Sequence, residues 1–74
     1  MFPNPFTERT TIRFPNPGGH LYTLRILDLT GKVLRIDEIE GQSEFILERK
    51  DLENGYYIIE LRGNKLFRGK MIIE

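Results

Sequence analysis

The chain has 74 residues, 39% hydrophobic and 30% charged, and its eleven Lys and Arg balance eleven Asp and Glu for a formal net charge of zero. That length has room for one domain, its composition is that of a folded chain rather than a disordered one, and its balanced charge offers nucleic acid no bulk attraction. Cysteine is absent, which removes disulfide frameworks and thiolate sites, and no apolar run is long enough to span a membrane or to form a signal peptide.

The first feature along the chain is a repeated bracket. FPNP occurs at Phe2–Pro5 and again at Phe14–Pro17, and the two copies hold all four prolines. Between them Arg9–Phe14 alternates, with Ile12 and Phe14 on one side and Arg13 on the other. Proline fixes φ and lacks an amide donor, so each bracket is expected to stop strand pairing and leave a first strand of about six residues. Asn4 and Asn16 have side chains suited to closing Asx turns on their own backbone. Met1 stands directly before the first bracket, as expected of a start placed on a piece of a longer chain.

Strand signals then recur. Leu21–Leu29 puts Tyr22, Leu24 and Ile26 on one face. Lys32–Ile39 has Leu34 and Ile36 on one face and Val33 and Ile39 on the other. Ser43–Glu48 carries Phe45 and Leu47 in step, Tyr56–Arg62 aligns Tyr57, Ile59 and Leu61, and Leu66–Glu74 closes with Met71, Ile72 and Ile73. Residues of equal parity share a strand face, so these sets mark the candidate core: Ile12, Phe14, Leu24, Ile26, Leu52, Tyr57, Ile59 and Leu61. PNPGGH, DLTGK, EGQ, LENG and GN punctuate the strands with residues that reach positive φ cheaply, and Gly63-Asn64 has the form of a two-residue hairpin turn. The pattern predicts an all-β fold: a small immunoglobulin-like antiparallel β-sandwich of six to seven strands. A single sheet fits less well, because several strands are apolar on both faces.

Catalytic chemistry finds few parts. The one histidine, His20, sits in a Gly-Gly turn, and the one serine, Ser43, opens a strand. Neither has the neighbours that a general base or nucleophile needs, so no catalytic residue, metal site or cofactor is expected. Asp37, Glu38 and Glu40 form an acidic run that weak calcium binding would suit, but the run lacks the alternating spacing of a calcium loop. Arg62, Lys65, Arg68 and Lys70 make the tail basic, which reads equally as a docking patch or as charge protecting an exposed edge strand. In the LENGYY stretch, Tyr57 follows a turn glycine. It reads either as a tyrosine that bonds back to the corner or as a ring filling the core with its hydroxyl at the rim.

Five motifs occur in order: P-N-P-F at Pro3–Phe6, T-x-I-x-F at Thr10–Phe14, I-x-D-x-T-G-K at Ile26–Lys32, D-L-x-x-G-x-Y at Asp51–Tyr57 and K-x-I-I at Lys70–Ile73. Together they resemble the C-terminal sorting domain of type IX secretion in Bacteroidota and relatives, across essentially the whole chain. The resemblance implies a non-catalytic sandwich, residues 1–74, at the end of a larger exported protein. Its partners would be the type IX outer-membrane translocon, a sortase that removes such domains, and the cargo domain on its N-terminal side, with no nucleic acid and no membrane insertion. The cargo would pass through the periplasm to the cell surface or the extracellular space. Candidate recognition residues are Pro3, Asn4 and Pro5, Gly31 and Lys32, Gly55 and Tyr57, and the tail Lys70, Met71, Ile72, Ile73 and Glu74. The alternative is a structural immunoglobulin-like spacer or accessory domain of a surface or extracellular enzyme.

Overall fold

The computed structural model describes residues 5–74. Six strands form: β1 Arg9–Arg13, β2 Leu21–Leu27, β3 Val33–Glu40, β4 Glu44–Glu48, β5 Gly55–Arg62 and β6 Leu66–Ile73. They make two antiparallel sheets, a four-stranded one of order β3-β2-β5-β6 and a two-stranded one of β1 and β4. The expected all-β, sandwich-like, immunoglobulin-type architecture is therefore present. The first FPNP bracket, up to Asn4, lies outside the described residues.

Alternation decides which side of each strand is buried. Ile12 and Phe14 from the β1 segment meet Tyr22, Leu24 and Ile26 of β2, Tyr57, Ile59 and Leu61 of β5, and Met71 and Ile73 of β6. Leu52, expected in this core, is half-buried and packs against its margin with Phe45 and Phe67. On β3 only Ile39 is buried, whereas Leu34 and Ile36 stand exposed, and a register shift opposite Ile26 and Leu27 breaks the expected alternation at Val33 and Leu34.

The chain does not stop pairing at Pro5, as its proline content predicts. Phe6 forms a parallel bridge to Ile73, its amide donating to the Ile72 carbonyl at 3.1 Å while the Glu74 amide donates to the Phe6 carbonyl at 2.9 Å. Three residues later Arg9 pairs with Glu48 in the other sheet. The start of the chain thus crosses from one sheet to the other, and the bend at Thr7 and Glu8 is the crossing point. The second bracket does end pairing. Phe14 donates to the Ser43 carbonyl at 3.0 Å, and Pro15, which has no amide hydrogen, follows it.

Asn16 works within its own loop, as its side chain predicts, and across the fold as well. Its Oδ1 accepts from the His20 amide at 3.0 Å, and its Nδ2 donates to the His20 carbonyl at 2.9 Å and to the Gln42 carbonyl at 3.1 Å. One buried side chain thereby stitches the PNPGGH loop to the β3–β4 turn. The β5–β6 connection also differs from its dipeptide signature. Arg62 pairs with Leu66, so the loop has three residues rather than two. The Tyr22 ring packs against this loop: a Cβ on Gly63 would lie 2.8 Å from it, and the Tyr22 hydroxyl donates to Asn64 Oδ1 at 2.7 Å. Gly63 is needed for close approach, and Asn64 for its side-chain acceptor.

Candidate functional site

The strand registers sort the loops into two poles. Thr23 pairs with Arg62 and Leu27 with Ile58, so the far end of β2 lies beside the start of β5, and Gly55 there pairs with Ile73. Arg9 pairs with Glu48, and the Arg49 amide donates to the Glu8 carbonyl at 3.0 Å. One pole therefore gathers the N-terminal segment from Pro5 to Glu8, the β2–β3 hairpin of Asp28–Lys32, the β4–β5 loop of Arg49–Asn54 and the end of β6. The opposite pole holds the PNPGGH loop, the β3–β4 turn and the β5–β6 loop.

The hairpin is organised by one carboxylate. Asp28 Oδ1 accepts from the Thr30 hydroxyl at 2.5 Å, the Thr30 amide at 2.9 Å and the Lys32 amide at 3.0 Å. These donors, the Thr30 hydroxyl first and the Lys32 amide next, hold the Asp28 carboxyl below the usual carboxylate value, against a smaller opposing effect of burial. Gly31 has φ +93 and no neighbour within 4 Å of the Cβ position, so its glycine serves the backbone and not packing. The hairpin tip, with Lys32, is exposed and held in one shape.

A second clamp was not legible in the sequence. The Arg49 guanidinium donates to the Leu52 carbonyl at 2.9 and 3.2 Å, to the Thr7 carbonyl at 3.0 Å and to Asn54 Oδ1 at 2.6 Å. It ties the chain's first segment to the D-L-x-x-G-x-Y corner. Lys50, beside it, is the one described non-glycine residue with positive φ, at 52°. Arg35, on the inner side of β3, donates to the Glu48 carbonyl at 2.6 Å and the Arg49 carbonyl at 2.8 Å, closing the flank between the sheets. Arg49 reads as a solvated charge in any local pattern, because its Thr7 partner lies far away in sequence.

Both readings of Tyr57 hold together. Its ring is in the core, and its hydroxyl donates to the Glu53 carbonyl at 2.5 Å, forming a tyrosine corner. Tyr57, Met71 and Ile73 all point inward, where a partner that reads the folded surface does not touch them. Pro5, Gly31, Lys32 and Glu74 are exposed at the terminal pole, and Gly55 opens β5 there with free space where a side chain would stand. Lys70 is exposed and Ile72 half-buried on the outer face of β6, while Pro3 and Asn4 fall outside the described residues. The acidic run at Asp37, Glu38 and Glu40 is split by strand alternation, with Asp37 on the inner face and the two glutamates on the outer one. No cluster of three or more metal-ligating side chains occurs among the described residues.

The outer face of the four-stranded sheet holds a network that parity alone did not mark. Glu60 is 1% exposed and bonds Arg68 at 2.7 Å, Arg25 at 2.9 Å and Arg62 at 2.9 Å. The Arg68 hydrogen bond is the main cause that holds its carboxyl below the ordinary glutamate value; burial opposes it, and the charges of Arg62 and Arg25 add to it.

The family model of the secretion system C-terminal sorting domain matches residues 1–74, the whole chain. The chain belongs to this family. No curated protein and no solved structure matches it. As a sorting domain of type IX secretion, it works with that export machinery, whose cargo is delivered to the cell surface or the extracellular space. Sorting domains are generally non-catalytic. Pro5 and Phe6, the Asp28–Lys32 hairpin, the tyrosine corner and the end of β6 all lie at the terminal pole or lead into it.

Proposed function

We propose that the domain is a non-catalytic address label at the end of a larger exported protein, and that the type IX outer-membrane translocon reads its terminal pole. The observation that carries this reading is convergence. Segments far apart in sequence, Pro5–Glu8, the Asp28–Lys32 hairpin and the end of β6, are brought to one end of the sandwich. A folded label offers its partner only a surface, and this pole is where rigid turns and exposed residues coincide. The cargo domain precedes the label, crosses the periplasm with it and is released when a sortase removes the label near the P-N-P-F start.

The test is export of a fluorescent cargo, carrying a signal peptide and this domain, from a host with the type IX machinery. Deleting the tail after Gly69 is a poor probe, because it removes Met71 and Ile73 from the core. Exposed charges separate folding from recognition, since surface substitutions usually change stability by under about 0.5 kcal/mol. Lys32→Glu, at the terminal pole, should leave cargo in the periplasm; Lys65→Glu, at the opposite pole, should not. Equal export of both variants would remove the pole from the mechanism. Retention of the wild type would remove the sorting role and leave the spacer reading in its place.

A further inference from the structure

Of the four cations that make the end of the chain basic, Arg62, Arg68 and Lys70 stand together on the outer face of β5 and β6, and Lys65 lies in the loop between the strands. The register sets Arg25 of β2 beside them, across Glu60. The buried Glu60 carboxylate lies 2.7–2.9 Å from one guanidinium nitrogen each of Arg25, Arg62 and Arg68. A guanidinium has five N–H donors, so each arginine keeps donors that Glu60 does not use. The Arg62 and Arg68 side chains are 58% and 62% exposed, so these donors face solvent. One carboxylate thus fixes three guanidiniums in place without neutralising them.

Apolar groups alternate with these cations. Along the two strands Tyr56 lies opposite Ile72, Ile58 opposite Lys70 and Arg62 opposite Leu66, with Tyr56 and Leu66 well exposed. An open groove of about 250 Å³ is lined by Ile58, Arg68, Gly69 and Lys70, and it joins apolar surface to two cations. The far side of the sheet is acidic. On the outer side of β3 stand Glu38 and Glu40, three strand spacings or roughly 14 Å from β6.

We propose that the β5–β6 half of this face docks on an anionic lipid surface, with its cations at the headgroup phosphates and Tyr56 and Leu66 in the interfacial layer. A folded protein partner needs one continuous complementary patch, whereas cationic and apolar side chains are interspersed here on a strip two strands wide. A lipid surface presents phosphates and acyl chains in the same plane, and its molecules rearrange to meet fixed charges. The groove fits one headgroup with its first methylenes. Because the chain's total charge is zero, attraction comes from this side alone, and Glu38 and Glu40 tilt β3 away from the surface. The domain lies on the membrane without crossing it. This docking goes beyond the sorting role and does not depend on it.

Co-sedimentation of the purified chain with vesicles of phosphatidylcholine containing about 40% phosphatidylglycerol, against phosphatidylcholine alone, tests this. A salt concentration of about 0.1 M is suitable, because a Debye length of about 10 Å confines each charge to its own side of the molecule. The wild type should bind the mixed vesicles roughly tenfold or more tightly than the neutral ones, since each cation at an anionic surface adds roughly fivefold. Lys70→Glu should weaken that binding roughly tenfold or more. Tyr56→Ser, which leaves the charge intact, should weaken it as well. Arg13→Glu makes the same change in net charge on the outer face of the small sheet, and it should bind as the wild type does. Melting curves show that each variant is folded, and Tyr56→Ser decides the matter if Lys70→Glu does not fold. A wild type that binds neither vesicle, or both alike, overturns the proposal. So does a folded Lys70→Glu or Tyr56→Ser variant that binds as well as the wild type, or weakening by Arg13→Glu to the same degree as by Lys70→Glu.

Discussion

Replacing Asn16 by alanine removes a side chain that is 8% exposed and makes three hydrogen bonds, two to His20 and one to Gln42. A net of about 1 kcal/mol per bond, reduced because water reaches the exposed loop carbonyls, gives a loss of about 2–3 kcal/mol. A domain of this length has roughly 4–11 kcal/mol in all, so the variant should melt about 10–20 °C below the wild type. Asn16→Asp is the sharper probe. It keeps the acceptor for the His20 amide but places a carboxylate oxygen where Nδ2 stood, 2.9 Å from the His20 carbonyl and 3.1 Å from the Gln42 carbonyl. Those oxygens disfavour the ionised form, so the introduced carboxyl has a folded pKa above its unfolded value of about 3.9. A raised folded value means stability is kept below the unfolded pKa and lost as pH rises through the folded one. Relative to wild type, Asn16→Asp should therefore be less destabilised near pH 3 than at pH 7. Urea unfolding of the three proteins at both pH values measures this directly. An Asn16→Ala variant within about 0.5 kcal/mol of wild type would refute the stitching role. A gap for Asn16→Asp that does not change with pH would refute the geometry.

Three further outcomes are expected. Glu60→Gln should cost about 1–3 kcal/mol, discounted for the exposure of Arg62 and Arg68. Because the Glu60 carboxyl is held low, mainly by Arg68, its contribution is full above the unfolded carboxylate pKa and lost as pH falls through the folded value; thermal melts should show a shallower acid limb for Glu60→Gln than for wild type. Gly63→Ala drives a Cβ to 2.8 Å from the Tyr22 ring and should cost about 1–3 kcal/mol by chemical denaturation. Tyr57→Phe loses the bond to the Glu53 carbonyl and should lower stability by about 1–2 kcal/mol, with the midpoint in urea shifting and the slope unchanged.

Much of the fold was legible because it is local. Alternation placed Tyr22, Leu24 and Ile26 inward, and Tyr57, Ile59 and Leu61 likewise, since parity alone assigns a strand's faces. Turn residues bounded the strands to within about two residues, and the second FPNP bracket ended β1 through chemistry that proline carries with it. The ordered motifs marked the family, because their turns and anchors are built from residues close together in the chain.

What the tertiary structure decided depends on partners distant in sequence. Ile36 looks as apolar as any core residue, yet it stands exposed on the side of β3 away from the core. Glu60 reads as a solvated residue on the outer side of β5, and only the registers of β2 and β6 bring Arg25 and Arg68 to it. Phe6 pairs with β6 because the end of the chain returns to its beginning, a closure that no window around Pro5 contains. Arg49 reaches the Thr7 carbonyl for the same reason. A hydrogen bond across forty residues leaves no periodic trace in either segment, so the terminal pole became visible only once both sheets were folded.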